Sequence, residues 1–177
     1  VNPLPTLSVN TANASICTGS SATINASGAN TYSWSSGQTT ASITVSPTTT
    51  SSYSVTGTGS NGCTKQLTQS ITVNALPSVT ISAANTTICE GQSVSLTAGG
   101  ATTYLWNTGA TGGTISDSPV AETSYTVTGT DANGCVNTAS ILIGVNALPN
   151  ISIITGNTFV CEGTSLTMVA SGGTNYA

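Results

Sequence analysis

The chain of 177 residues carries almost no charge. Lys65 is its only basic residue, with no arginine and no histidine. The acids are Glu90, Asp117, Glu122, Asp131 and Glu162, and the net charge is −4. One lysine cannot match a run of phosphates, so nucleic acid is excluded as a partner. An anionic membrane surface, which also calls for clustered Lys or Arg, is excluded on the same ground. Without histidine, no serine or cysteine has its usual activating base, and Lys65 is too isolated for a Ser–Lys pair. The acids are scattered rather than set beside one pocket, as acid/base catalysis requires. No apolar run approaches the roughly 20 residues a spanning helix needs, so no membrane insertion is expected. No leader pattern opens the chain either. Val1 begins in mid-pattern, and Ala177 stops where a tryptophan is due, so an excerpt of a longer polypeptide is expected.

What is present is a surface of Ser, Thr, Asn and Gly in place of the usual charges. Ile, Val, Leu, Tyr and Trp fall in short alternating runs, which separates this composition from that of a disordered chain.

The strongest signal is internal repetition. Cys17, Gly19, Tyr32, Trp34, Gly37, Pro47, Tyr53, Val55, Asn61, Gly62 and Cys63 recur as Cys89, Gly91, Tyr104, Trp106, Gly109, Pro119, Tyr125, Val127, Asn133, Gly134 and Cys135. The offset is 72 throughout (89 − 17), without a gap. Cys161 and Gly163 open a third copy, and Tyr176 falls 72 after Tyr104. The expected division is 1–72, 73–144 and a truncated 145–177. Each copy opens with Val-Asn-x-Leu-Pro, at Val1–Pro5, Val73–Pro77 and Val145–Pro149. Proline fixes φ and cannot extend a ladder, so these are short, stiff joints.

Five cysteines at fixed repeat positions read as a disulfide framework in an oxidising compartment. A zinc site wants close pairs of Cys, often with His. The nearest cysteines here, Cys63 and Cys89, are 26 apart (89 − 63). No metal and no cofactor is assigned.

The remaining pattern is β. Thr6–Val9 and Val79–Ala83 alternate as a first strand, with Ala14–Cys17 as its continuation after a kink. Ala22, Ile24 and Ala26, matched by Val94, Leu96 and Ala98, alternate as a half-buried strand. Tyr32 and Trp34 share a face. Ile43 and Val45 form another strand, ended by Pro47, and Tyr53 and Val55 the next. Asn61-Gly62 signals a hairpin, and a last strand runs from about Lys65 to Val73 and from Val136 to Val145. About seven short strands per copy is the pattern of a β-sandwich. The aromatics Tyr32, Trp34, Tyr53, Tyr104, Trp106 and Tyr125 are assigned to its cores rather than to a ligand platform.

Three motif matches dissolve on inspection. Gly57-x-Gly59-x-x-Gly62 lacks the following helix of a dinucleotide loop. Asp131-Ala-Asn133-Gly134 lacks the further carboxylates of a calcium loop. Asn13, Asn25, Asn85 and Asn150 head Asn-x-Ser/Thr triplets that chance explains in so Asn- and Thr-rich a chain.

The run Cys-x-Gly, Tyr-x-Trp-x-x-Gly, Tyr-x-Val and Asn-Gly-Cys resembles immunoglobulin-like modules, including fibronectin type III and PKD-like relatives. It is similar to the tandem repeats of large secreted surface proteins of Bacteroidota, among them adhesins linked to gliding and type IX secretion. The resemblance implies an all-β fold of tandem immunoglobulin-like β-sandwich modules stacked end to end. Trp34 then stands for the buried tryptophan of strand C, and Tyr53 for the tyrosine corner before strand F. Unlike in antibody domains, Cys17 precedes strand B and Cys63 follows strand F. The Lys–Asn isopeptide bonds of some related adhesins are excluded as a repeat-wide device, since Asn137 replaces Lys65 in the second copy.

Under that fold B and F run the same way, so Cys17 and Cys63 lie at opposite ends of one sandwich. The implied bond therefore crosses the junction, Cys17–Cys135. An altered strand path near Cys17 would restore Cys17–Cys63 and Cys89–Cys135. The resemblance further implies an extracellular, cell-surface stalk of an adhesin or filament, without catalysis. Its partners would be neighbouring repeats, surface glycans or other copies of itself. A self-assembling fibre subunit and spacer modules of a secreted enzyme are the alternatives.

Overall fold

The computed structural model describes residues 2–156 and 159–175; Tyr176, the third copy's repeat tyrosine, lies outside them. Seven strands form in the first copy: β1 (Ser8–Thr11), β2 (Ser15–Cys17), β3 (Ala22–Ser27), β4 (Thr31–Trp34), β5 (Ser42–Val45), β6 (Ser51–Thr58) and β7 (Thr64–Asn74). They make two sheets, β1-β3-β5 and β2-β7-β6-β4. The second copy repeats the plan with β8 (Thr80–Ala83), β9 (Thr87–Cys89), β10 (Val94–Gly99), β11 (Thr103–Trp106), β12 (Thr114–Asp117), β13 (Thr123–Thr130) and β14 (Val136–Asn146). Its sheets are β8-β10-β12 and β9-β14-β13-β11. In the third copy β15 (Ser152–Thr155) pairs with β16 (Met168–Ser171). Ser152↔Ser171 repeats the register Ser8↔Ser27. A three-stranded sheet, β1-β3-β5, facing a four-stranded one, β2-β7-β6-β4, is the immunoglobulin-like arrangement.

Alternation decides which face of each strand is buried. In β3, Ala22, Ile24 and Ala26 are buried and the residues between them exposed. They meet Trp34 from β4, Ile43 and Val45 from β5, Val55 from β6 and Ile71 from β7. The second core gathers Leu96, Trp106, Tyr125, Val127 and Ile143 in the same places. Trp34 and Trp106 are buried, and their indole N–H groups donate to the carbonyls of Thr40 (2.9 Å) and Gly112 (3.0 Å). Tyr125 is fully buried, whereas Tyr32, Tyr53 and Tyr104 are half-buried and pack against the cores.

Three local expectations change. The first strand runs Ser8–Thr11 rather than Thr6–Val9. Leu7 is still buried, because the chain lies against Gly28, where a Cβ would collide with the carbonyl of Thr6. Second, Ala14–Cys17 does not continue that strand in its own sheet. β2 crosses to the other sheet and pairs parallel with the end of β7, Ser15↔Thr72 and Cys17↔Asn74. Ile16, buried beneath it, anchors the switch. Third, Asn61-Gly62 is not the centre of a two-residue hairpin. A type I′ turn needs positive φ at both positions, and among the described residues only glycines have it, here Gly62 at 81°. The connection is longer, closed by Gly62 N–H to Gly59 O (3.0 Å) and Gly59 N–H to Cys63 O (2.9 Å).

Candidate functional site

The feature that joins the two sandwiches starts from β2. Because β2 runs parallel to β7, Cys17 lies beside Asn74, where the first sandwich hands the chain to the joint. Thr18 clasps that point twice, its N–H and Oγ1 both donating to Asn74 O at 2.9 and 3.0 Å. Asn74 Nδ2 donates in return to Ser15 Oγ (2.8 Å). Gly19, at φ 87°, turns the chain away, with Ser20 N–H bonded to Cys17 O (3.0 Å).

Cys135 arrives from the other side, at the foot of the β13–β14 hairpin. The Asp131 carboxylate accepts the N–H groups of Asn133 and Cys135, each at 2.8 Å. It is thus engaged within its own turn. Asn137 Nδ2 donates to Pro77 O (3.0 Å), which ties the start of β14 to the joint. The first copy does the same with other residues. Asn61 Oδ1 accepts Cys63 N–H (3.1 Å), and Asn61 Nδ2 donates to Pro3 O (2.8 Å).

A disulfide joins Cys17 to Cys135, with Cα atoms 5.5 Å apart and a sequence separation of 118. Cys135 is fully buried. Pairing within copies, Cys17–Cys63 and Cys89–Cys135, does not occur: Cys63, Cys89 and Cys161 are free. The strand register explains why. Cys17 lies beside the last residue of β7, and Cys63 immediately precedes the first. That eleven-residue strand spans roughly 37 Å at about 3.4 Å per residue, against the roughly 4.4–6.8 Å a disulfide allows between Cα atoms.

The other singled-out residues do not converge on chemistry. Glu90 and Glu162 are exposed. Among the described residues, no group of three or more His, Cys, Asp or Glu side chains is placed to hold a metal ion. No helix among the described residues is long and apolar enough to cross a membrane. The outer face of the β4-β6-β7 sheet is almost wholly hydroxyl, with Thr31, Ser33, Ser54, Thr56 and Thr68 pointing away from the core. In the second copy Leu105, 52% exposed, interrupts that face. It lines a shallow groove of about 610 Å³ with Tyr104, Gly112 and Thr128.

One interaction had no counterpart in the repeat pattern. Tyr125 Oη donates to Asp117 Oδ2 at 2.7 Å. Burial, the hydrogen bond and the nearby negative charge push the Tyr125 hydroxyl up to about 12. The first copy has Val45 where the second has Asp117. The signal available was this single break in a shared position.

Comparison with solved structures returns immunoglobulin-like proteins and adhesins. Murine CEACAM1b aligns over 80% of this chain and 100% of its own, at 12% identity and a TM-score of 0.39. A Ca2+-stabilised adhesin with which an Antarctic bacterium binds ice aligns at 16% identity and a TM-score of 0.47, over 86% of this chain and 52% of that one. The chain therefore spans about half the length of that adhesin structure. A 1.5-MDa bacterial ice-binding adhesin aligns at 14% identity and 0.42, over 84% and 68%. No family model and no curated protein matches the chain.

Proposed function

We propose that this chain is a stretch of non-catalytic stalk in an extracellular surface adhesin or filament. Its units are the repeats 1–72 and 73–144, with a third beginning at 145, and the last strand of each complete unit runs two residues past the repeat boundary, to Asn74 and Asn146. The observation that carries the reading is the Cys17–Cys135 disulfide across the Pro-stiffened joint. A bond inside each sandwich would stabilise a unit; a bond between sandwiches fixes how successive units follow one another. Units that contact only their neighbours behave as a quasi-one-dimensional array. Such an array holds a binding tip away from its anchor. The charge-free hydroxyl faces suit an uncharged environment of glycans or neighbouring copies, and the disulfide suits an oxidising, extracellular setting. A bacterial surface protein of the Bacteroidota type is the source this reading favours.

The test is reach. In a surface-displayed protein that places these repeats between an anchor and a binding tip, removing residues 73–144 should shorten the distance from tip to surface by one unit and leave tip affinity unchanged. Loss of binding by the isolated tip, or hydrolytic activity in the purified repeats, would remove the stalk reading.

A further inference from the structure

Cys17 ends β2 and Cys135 immediately precedes β14, and the two strands traverse their sandwiches in the same sense. In the first sandwich the chain starts at Pro3, held against the β6–β7 hairpin by Asn61 (2.8 Å). It then runs along β1 and β2 to Cys17, beside Asn74 at the far end of β7. In the second, β14 leaves Cys135 next to Pro77, which Asn137 holds (3.0 Å). It continues, paired with β13 and then with β9, to Asn146 at the opposite end. Residues 2–17 and 135–146 thus form one mostly extended line, crossing from the first segment to the second at the sulfurs.

We propose that this line is the tension path of the oxidised protein. It deepens the stalk reading and rests on it for its purpose, though not for its geometry. Pulled from its ends, the chain transmits force through the shortest covalent route, which leaves out residues 18–134. Strands β3–β7 and β8–β13, with both cores, then carry no tension. β14 is already extended at about 3.4 Å per residue, so stretching it yields little length. Without the bond the same force passes through every strand in turn, and the weaker sandwich unravels. The disulfide therefore sets how far the stalk extends under load, and a reductant switches it from cable to unfolding spring.

The repeat pattern gives the bond a distinctive signature. Cys63 and Cys89 occupy the places of Cys135 and Cys17 and are both free, so only one bypass operates in this chain. It hides the 118 residues of the closed loop, about 40 nm of contour at roughly 3.3–3.6 Å per residue. Bonds within copies would instead leave the 26-residue span from Cys63 to Cys89 (89 − 63) in the path of the oxidised chain, a release of about 9 nm before any reductant.

The experiment is single-molecule force spectroscopy on the full chain, tethered at both ends. The oxidised chain should release only the segment after Asn146, 31 residues (177 − 146) or about 11 nm. Adding a thiol reductant to the already tethered molecule should unlock a further release of about 40 nm, whether or not a cysteine variant folds. Cys17→Ser should show the full release without reductant, and the Cys63→Ser/Cys89→Ser double variant should behave as the parent. An oxidised parent that releases about 40 nm, or one that releases about 9 nm beyond the segment after Asn146, overturns the tension path. If that happens while repeat deletion still shortens reach, the stalk stands and only the path falls.

Discussion

Replacing Cys17 by serine should cost the protein most of what the junction bond contributes. Cys17 is the cleaner choice, because it is half-buried whereas Cys135 is fully buried, and a hydroxyl there would add its own penalty. Chain-entropy closure of the 118-residue loop stabilises the folded state by about 5 kcal/mol. If only the second sandwich unfolds, the loop is bounded by Asn74, which stays beside Cys17. It then holds 61 residues (135 − 74), and the contribution is still about 4 kcal/mol. The two cases differ little because closure entropy grows only with the logarithm of length. Urea unfolding followed by tryptophan fluorescence reads the effect, since Trp34 and Trp106 report one core each. At a slope of about 2 kcal/mol per molar, the midpoint should fall by roughly 2 M. Parent protein in reductant should fall by a similar amount. A Cys17→Ser midpoint within about 0.5 M of the oxidised parent would refute the staple as a source of stability.

Trp106→Ala should destabilise the second sandwich by about 3–5 kcal/mol, and Trp34→Ala the first, each read by thermal unfolding. The Tyr125 hydroxyl, held at about 12, favours its neutral form in the fold. Its contribution is complete below the ordinary tyrosine range near pH 10 and is lost as pH rises from about 10 to 12. Ultraviolet titration should show one tyrosine ionising late, a step that Tyr125→Phe removes and Asp117→Asn moves down. The thermal midpoint should not respond to EDTA, and a clear drop would return attention to Asp131 and Asn133.

The fold was legible because period-two alternation and a gapless repeat agree at every level. Ala22-x-Ile24-x-Ala26 can bury one face only as a strand, and the copies confirm each other's boundaries. What was not legible depends on partners distant in sequence. The kink at Ala14 marks a crossing between sheets, and only pairing with β7, over fifty residues on, reveals it. The clasp of Ser15 and Thr18 on Asn74 follows from that pairing and has no local pattern of its own. Asn61-Gly62 marked the right hairpin but the wrong turn, since one glycine with positive φ serves a longer loop. Tyr125–Asp117 escaped because a repeat reading looks for what the copies share, and this contact exists only where they differ.

The central claim is that successive units are joined by a disulfide across their junction, and its most direct test is peptide mapping without reduction. Thiols are first blocked in the folded, oxidised protein, which is then digested and read by mass spectrometry. The structure predicts a single linked species joining the peptide of Cys17 to that of Cys135, with Cys63, Cys89 and Cys161 carrying the blocking group. Linked peptides pairing Cys17 with Cys63, or Cys89 with Cys135, would contradict it.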